Sequence, residues 1–340
     1  MDNIFVYCEI SEEGNVADVS LQLLTKGRQL ADQLGVKLEA AALAKDVSGC
    51  AEEVKPYGVD ILYLAADEQL FPYTTLPHSA IISGICREQK PQIALFGATP
   101  VGRDLAPRVA SELKCGLTAD CTSLVIGEHH DKKNNISYKD LLYQIRPAFG
   151  GNIIATIINP ETKPQMATVR EGVMKLQKVK NPRDPKVKTL DVQSYIQQDD
   201  FIIDIIERHI EPKKVNMTAS QIIVSGGYGV GSKENFKYLY ELADVLGGEV
   251  GGSRAAVDAG FVEHERQVGQ TGVTVRPKLY IACGISGAVQ HRAGMEHSAK
   301  IIAINTDPEA PINSIADYAI HGKVEEVIPK MIKYYQKHAK

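Results

Sequence analysis

The residue patterns predict an α/β protein of two Rossmann-like domains, the N-terminal one carrying extra β-strands and the C-terminal one doubly wound. Three observations predict it. Strand and helix patterns alternate up to about residue 113. Strands then follow one another with no helices between them. After a charged stretch the alternation resumes at residue 221, where apolar runs end in glycine clusters. A chain of 340 residues is long enough for two domains with their own cores. Strand–helix alternation implies parallel strands joined by helical crossovers.

Residues 3–10 alternate in apolarity and read as the first strand. In 16–35, Val19, Leu23, Leu30 and Leu34 share one helical face, and Gly35 ends the helix. Residues 36–43, 59–65 and 91–98 are further strands, and 103–113 a further helix. From Thr118 the pattern changes to strands at 121–126, 136–145, 152–159 and 165–170. The polar segment 127–135 reads as a hairpin tip. Its His129 and His130 have no acidic or cysteine partner at ligand spacing and read as a solvated turn. Residues 175–215 are charged, and Pro182 and Pro185 disfavour continuous structure, so the stretch is a linker or an extended arm. The expected boundaries are an N-terminal domain over 1–195, a linker over 196–214 and a C-terminal domain over 215–340.

Composition excludes several classes. Hydrophobic residues are 44% and charged residues 24%, as in soluble globular proteins. A net charge of −4 argues against a nucleic-acid partner or an anionic membrane surface. No apolar run approaches the ~18 residues of a membrane span. The N-terminus has neither a basic segment nor a small-residue cleavage site, so a cytoplasmic location is expected. Cys8, Cys50, Cys86, Cys115, Cys121 and Cys283 form no C-x-x-C and read as buried thiols in a reducing compartment.

The chemistry concentrates in the last third. Strand 221–225 runs into Gly226, Gly227, Gly229 and Gly231, with Ser232 placed to cap a helix that buries Phe236, Leu239, Tyr240, Ala243 and Leu246. Such a turn either packs tightly or brings backbone N–H groups to a phosphate. A nicotinamide site would want an acid about 20 residues on, at the end of the second strand. Glu249 instead precedes more glycines. A second strand-to-turn unit follows at 278–294 with Gly284, Ser286 and Gly287, and a third strand ends in Asn305-Thr306-Asp307. Ligands in open α/β sheets lie beyond the carboxyl ends of strands, where all these turns fall. Gln267, Gln270 and Thr271 supply amides and a hydroxyl for a heteroaromatic edge, and Arg254 and His291 are the charge-bearing candidates. A cation near the N1–C2=O region of a flavin would stabilise its reduced, anionic ring, and a hydroxyl donor such as Thr271 would act at N5. No Ser-His-Asp order, carboxylate pair or activated cysteine stands out. An NAD(P)-dependent doubly wound oxidoreductase and a non-catalytic nucleotide-binding module remain as alternatives.

The stretches 225–236, 250–261, 267–272, 279–295 and 303–312, with 97–113, 116–124 and 168–173, closely resemble the α subunit of electron-transfer flavoproteins over nearly the whole chain. The resemblance implies FAD in the C-terminal domain and a heterodimer in which the N-terminal domain packs on a β subunit. It also implies transfer between an acyl-CoA dehydrogenase-type partner and another redox carrier, the C-terminal domain swinging about the linker. Implied cofactor contacts are Gly227, Tyr228, Ser253, Arg254, Gln267, Val268, Gly269, Gln270, Thr271, Ser286, Gly287, Ala288, Val289, Gln290, His291 and Asn305, with Lys323 and Val324 towards the adenine. Arg254, Thr271 and His291 would meet the ring. Tyr228 stands where family members often carry arginine, and Lys323 where they often carry an acid. The Tyr228 form is similar to α subunits of anaerobes that pair with butyryl-CoA dehydrogenase. Some of those bifurcate electrons from NADH with a second FAD in the β subunit in place of AMP.

Overall fold

The computed structural model describes residues 2–148, 153–203, 205–208, 217–218 and 220–338. The chain divides into two units, the first built from 1–148 and 154–209 and the second chiefly from 210–340. Of the expected linker 196–214, residues 204 and 209–214 lie outside the described residues, as does residue 152 of the expected strand 152–159.

In the first unit the opening apolar run forms β1 (Ile4–Cys8), and α1 (Asp18–Leu34) follows with Val19, Leu23 and Leu30 buried. Then come β2 (Leu38–Ala44), α2 (Cys50–Val54), β3 (Ile61–Ala66), α3 (Thr75–Gln89), β4 (Ile93–Gly97), α4 (Pro100–Leu113) and β5 (Leu117–Cys121). No apolar stripe announces α3, because Ser79 and Ser83 are buried beside Ile81, Ile82 and Ile85 and blur its periodicity. Strands β6 (Ser123–Asp131) and β7 (Ile136–Ala148) pair antiparallel, and β8 (Ile153–Ile157) completes a three-stranded sheet with them. The turn is shorter than the expected tip of 127–135: residues 127–131 extend β6, where His129 and His130 pair across the ladder with Tyr138 and Ser137 of β7, and His130 Nδ1 meets Ser137 Oγ at 2.9 Å.

Two strands belong elsewhere than their neighbours in sequence suggest. Fully buried β9 (Gln165–Val169) returns to the parallel sheet between β4 and β5. Strand β10 (Lys186–Thr189), in the proline-bearing stretch, pairs parallel with β3. Its lysines suit an edge. The sheet order is β10-β3-β2-β1-β4-β9-β5. Successive residues of β1 point to opposite faces: Ile4, Val6 and Cys8 pack with Leu23 and Leu24 of α1, while Phe5 and Tyr7 pack with Ile81 of α3 and Leu105 of α4. Each such large apolar side chain contributes roughly 1.5–3 kcal/mol when buried.

The second unit runs β11 (Ile222–Gly226), α5 (Phe236–Leu246), β12 (Glu249–Gly252), α6 (Arg254–Asp258), β13 (Leu279–Cys283), α7 (Val289–Arg292), β14 (Ile301–Asn305), β15 (Tyr318–His321) and α8 (Val324–His338). The parallel order is β12-β11-β13-β14-β15. Phe236 and Leu239 of α5 and Ile328 of α8 cover the face of Val224, Ile281 and Ile304. The other face, with Ile223, Tyr280 and Ala282, is covered by Val268, Met295 and Ile312 from connecting segments. Chain direction across the sheet reverses between β11 and β13, and a doubly wound sheet opens its crevice at such a point. No helix among the described residues is long and apolar enough to cross a membrane.

Candidate cofactor site

A cavity of about 610 Å³ opens beyond the carboxyl ends of β11, β12, β13 and β14, within the roughly 300–1,000 Å³ usual for ligand pockets. Gly227, Tyr228, Ser253, Arg254, Gln267, Val268, Gly269, Gln270 and Thr271 line it together with Ser286, Ala288, Gln290, His291 and Asn305. Gly287, Val289, Lys323 and Val324 do not line it. Gly287 packs its backbone on Ile312, and Val324 is buried in the core under α8. Asp307, at the polar end of the third strand, also lines the cavity, whereas sequence reasoning missed Ala255, Asp258, Ile285 and Ala310 as lining residues. The only available signal for Asp258 was its helical i,i+4 spacing from Arg254.

The two glycine turns have different jobs. In the first, the amides of Gly227, Gly229, Val230 and Gly231 all donate to protein carbonyls, those of Cys283, Gly284, Gly227 and Tyr228. A Cβ on Gly227 would lie 2.2 Å from the Gly284 carbonyl oxygen, and one on Gly284 would lie 2.6 Å from the Gly229 carbonyl carbon. The glycines there let two turns cross. In the second turn, the amides of Ile285, Ser286, Gly287, Ala288 and Val289 donate to no acceptor among the described residues. Of these free N–H groups, those of Ile285, Ser286 and Ala288 belong to lining residues, and such a run of amides makes an anion-binding concavity. The Asn305 amide donates to the Ile285 carbonyl at 2.8 Å and so steadies that turn from β14.

The polar side chains are set by local structure. Ser253 caps α6 by accepting from the Ala256 amide at 3.3 Å. That places Arg254 on the first turn, 72% exposed, with Nε 3.4 Å from Asp258 Oδ2. Gln267 is buried and donates from Nε2 to Thr271 Oγ1 at 3.0 Å. Tyr228 is exposed at the cavity and stacks on Phe261, with ring centroids 5.8 Å apart.

His291 corrects the expectation of a second positive charge. It is buried, and burial lowers its pKa to about 4, so the ring is neutral at pH 7. Its Nε2 lies 3.0 Å from the Tyr280 hydroxyl, and its buried Nδ1 completes no hydrogen bond. Glu249 sits at the start of β12 and pairs with Arg266 at 3.2 Å. The strand ends in Gly252 and is followed by Ser253, so the acid a nicotinamide ribose would use is not at its place. All six cysteines are free thiols. Cys115 is half-buried and the other five are buried. The described residues hold no cluster that could ligate a metal.

The crossed turns at a sheet reversal, the run of free amides and the cavity with its few convergent polar groups define a nucleotide-cofactor-binding protein of the doubly wound class. The family described as electron transfer flavoprotein domain matches residues 4–195, and the electron transfer flavoprotein FAD-binding domain matches 216–296. The chain is 47% identical over 336 residues to an electron transfer flavoprotein subunit alpha of Thermoanaerobacterium thermosaccharolyticum, covering 98% of each chain. It is 49% identical to a Protein FixB of Clostridium saccharobutylicum, covering 97% of this chain and 95% of the relative. It is 40% identical to an acryloyl-CoA reductase electron transfer subunit beta of Anaerotignum propionicum, covering 97% and 94%. The chain belongs to the electron-transfer flavoprotein family, as an α-type subunit, and its cofactor is FAD. The site fits that group: the free amides of Ile285, Ser286 and Ala288 at the cavity match a diphosphate, and the cavity is of cofactor size.

Proposed function

We propose that this chain pairs with a β subunit and carries electrons on FAD between an acyl-CoA dehydrogenase-type partner and a second redox carrier in the cytoplasm. Bound FAD supplies a ring that takes up and releases one or two electrons. The free amides at 285–289 hold its diphosphate, and Ser253, Gln270, Gln290 and Asn305 steady the rest of the dinucleotide, with Gly227, Tyr228, Val268, Gly269 and Ala288 lining it. Arg254 and Thr271 flank the ring, the guanidinium balancing negative charge and the hydroxyl offering a proton to a ring nitrogen. Neutral His291 adds shape and a hydrogen bond in place of a second charge. Gly287, Val289, Lys323 and Val324 act only through the backbone or through the adenine end. The FAD domain, 215–340, turns on the linker 196–214 relative to 1–195. The observation carrying this reading is the meeting in one cavity of an anion-binding amide run with a hydroxyl and a guanidinium.

The acyl-CoA partner is supported by the printed name of the Anaerotignum propionicum relative. Free thiols in all six cysteines suit a reducing compartment. Co-expression with the neighbouring subunit and a nucleotide count per heterodimer tests the assignment. One FAD with AMP means simple transfer, and two FAD mean bifurcation of electrons from NADH. A pure heterodimer that takes up no FAD overturns the proposal.

A further inference from the structure

We infer that Gln267 is a positioning residue that sets the polarity of the Thr271 hydroxyl, fixing it as a proton donor into the cavity. The inference rests on the reading that the flavin ring lies beside Thr271. A threonine hydroxyl has one hydrogen and two lone pairs, and when free it rotates to present either. Here Gln267 Nε2 donates to Thr271 Oγ1 at 3.0 Å, which occupies one lone pair and turns the O–H bond away from the amide. Thr271 is exposed and lines the cavity, while Gln267 is 4% exposed.

The donor is held from several sides. The Gln267 amide N–H donates to the His264 carbonyl at 3.0 Å, and its own carbonyl accepts from Val273 at 2.7 Å. Val268 next to it donates to the Gly252 carbonyl at 2.8 Å, tying the loop to the end of β12. Gly269 accepts from Gly272 at 3.1 Å and so closes the loop around Thr271. A buried amide on a loop closed in this way loses little further freedom on holding one orientation, so its hydrogen bond is made at low entropic cost. A hydroxyl locked as donor favours electron-rich forms of a neighbouring ring nitrogen. The same hydroxyl locked as acceptor would disfavour them. The side-chain amide of residue 267 is the switch between the two, because reversing its N and O would draw the Thr271 proton out of the cavity.

The test uses the FAD-loaded heterodimer and reads the flavin midpoint potential, the flavin absorption spectrum and the FAD dissociation constant. The variants are Gln267→Leu, Gln267→Glu and Thr271→Val, with each Gln267 change also made in the Thr271→Val background. A carboxylate at 267 only accepts, so Gln267→Glu takes the Thr271 proton, and part of its effect must depend on Thr271. Expected are a lower potential in Thr271→Val, Gln267→Leu and Gln267→Glu, and FAD binding weakened by about 2–10-fold in Gln267→Leu, the span for one lost hydrogen bond. The Gln267→Leu shift should vanish in the Thr271→Val background, since residues acting through one contact are not additive. If leucine at 267 prevents folding, Gln267→Met serves in its place. Equal shifts in both backgrounds, or lowered thermal stability with an unchanged potential, overturn the role and leave Gln267 as loop packing. If Thr271→Val itself changes neither spectrum nor potential, the ring is not beside Thr271. The placement under the proposed function then fails first, and this inference fails with it.

Discussion

The two units share a parallel, doubly wound plan and differ at the point where each sheet reverses. In the first unit the reversal lies between β1 and β4. There Thr99 Oγ1 donates to Glu9 Oε2 at 2.5 Å across the crevice. Nearby, Arg170 forks onto Asp120 at 2.6 and 3.1 Å. The carboxyl edge is thus closed by its own side chains. In the second unit, glycine turns cross at the reversal and leave an open cavity with free amides. The same contrast recurs in two buried histidines. His78 meets the Tyr7 hydroxyl at 3.2 Å on one nitrogen and the Leu70 carbonyl at 3.0 Å on the other. His291 meets the Tyr280 hydroxyl at 3.0 Å and lines the open cavity. The fold supplies a crevice twice, and the residues at its lips decide whether it binds anything.

The most severe way to break the contrast is to stop the glycine turns from crossing. Gly284→Val forces a Cβ onto Gly229 at a φ of 60°. Clash and strain together should cost about 4 kcal/mol and weaken FAD binding about 1,000-fold. Colourless purified heterodimer and a lowered unfolding midpoint are the expected readings. Retained yellow colour would show that the crossing is dispensable.

Acid comes next. Burial lowers both His78 and His291 to a pKa of about 4 from 6.5. The unfolded chain therefore binds more protons between those values. The stability each ring contributes is complete above pH 6.5 and is lost as pH falls through 4, about 3 kcal/mol per ring. Urea unfolding at pH 7 and pH 4.5 measures it. His78→Asn should reduce the slope equally with and without FAD. The share from His291 should change on FAD loading, because His291 lines the cavity.

A smaller effect should come from the closed lip. Thr99→Val removes the bond to Glu9 and the cap on Gly102, which Thr99 Oγ1 accepts at 2.9 Å. Those losses should cost about 2 kcal/mol by chemical unfolding, with the FAD dissociation constant unchanged. A changed dissociation constant would mean that the first unit's edge also serves the cofactor. Arg254→Ala should move stability least, since its pair with Asp258 is exposed. The flavin potential should still fall, because a cation that favours the reduced anionic ring is gone. A redox titration with no shift would remove Arg254 from the ring.

Sequence alone determined β1, α1, β4, β11, α5 and β13, because their apolar spacing matches a period of two or of 3.6 and glycines stop them. It also located most of the residues that meet in the cavity, since strand ends and the turns after them are adjacent in any doubly wound sheet, though it added Gly287, Val289, Lys323 and Val324 and missed Asp258. Pairing and burial had to come from tertiary structure. A strand's period is the same in either sheet, so nothing local sent β9 back between β4 and β5 or laid β10 beside β3. Which glycine turn keeps its amides free depends on carbonyls some fifty residues away, those of Cys283 and Gly284. The neutrality of His291 depends on the desolvating shell that packing closes around it, and that shell is assembled from distant parts of the chain.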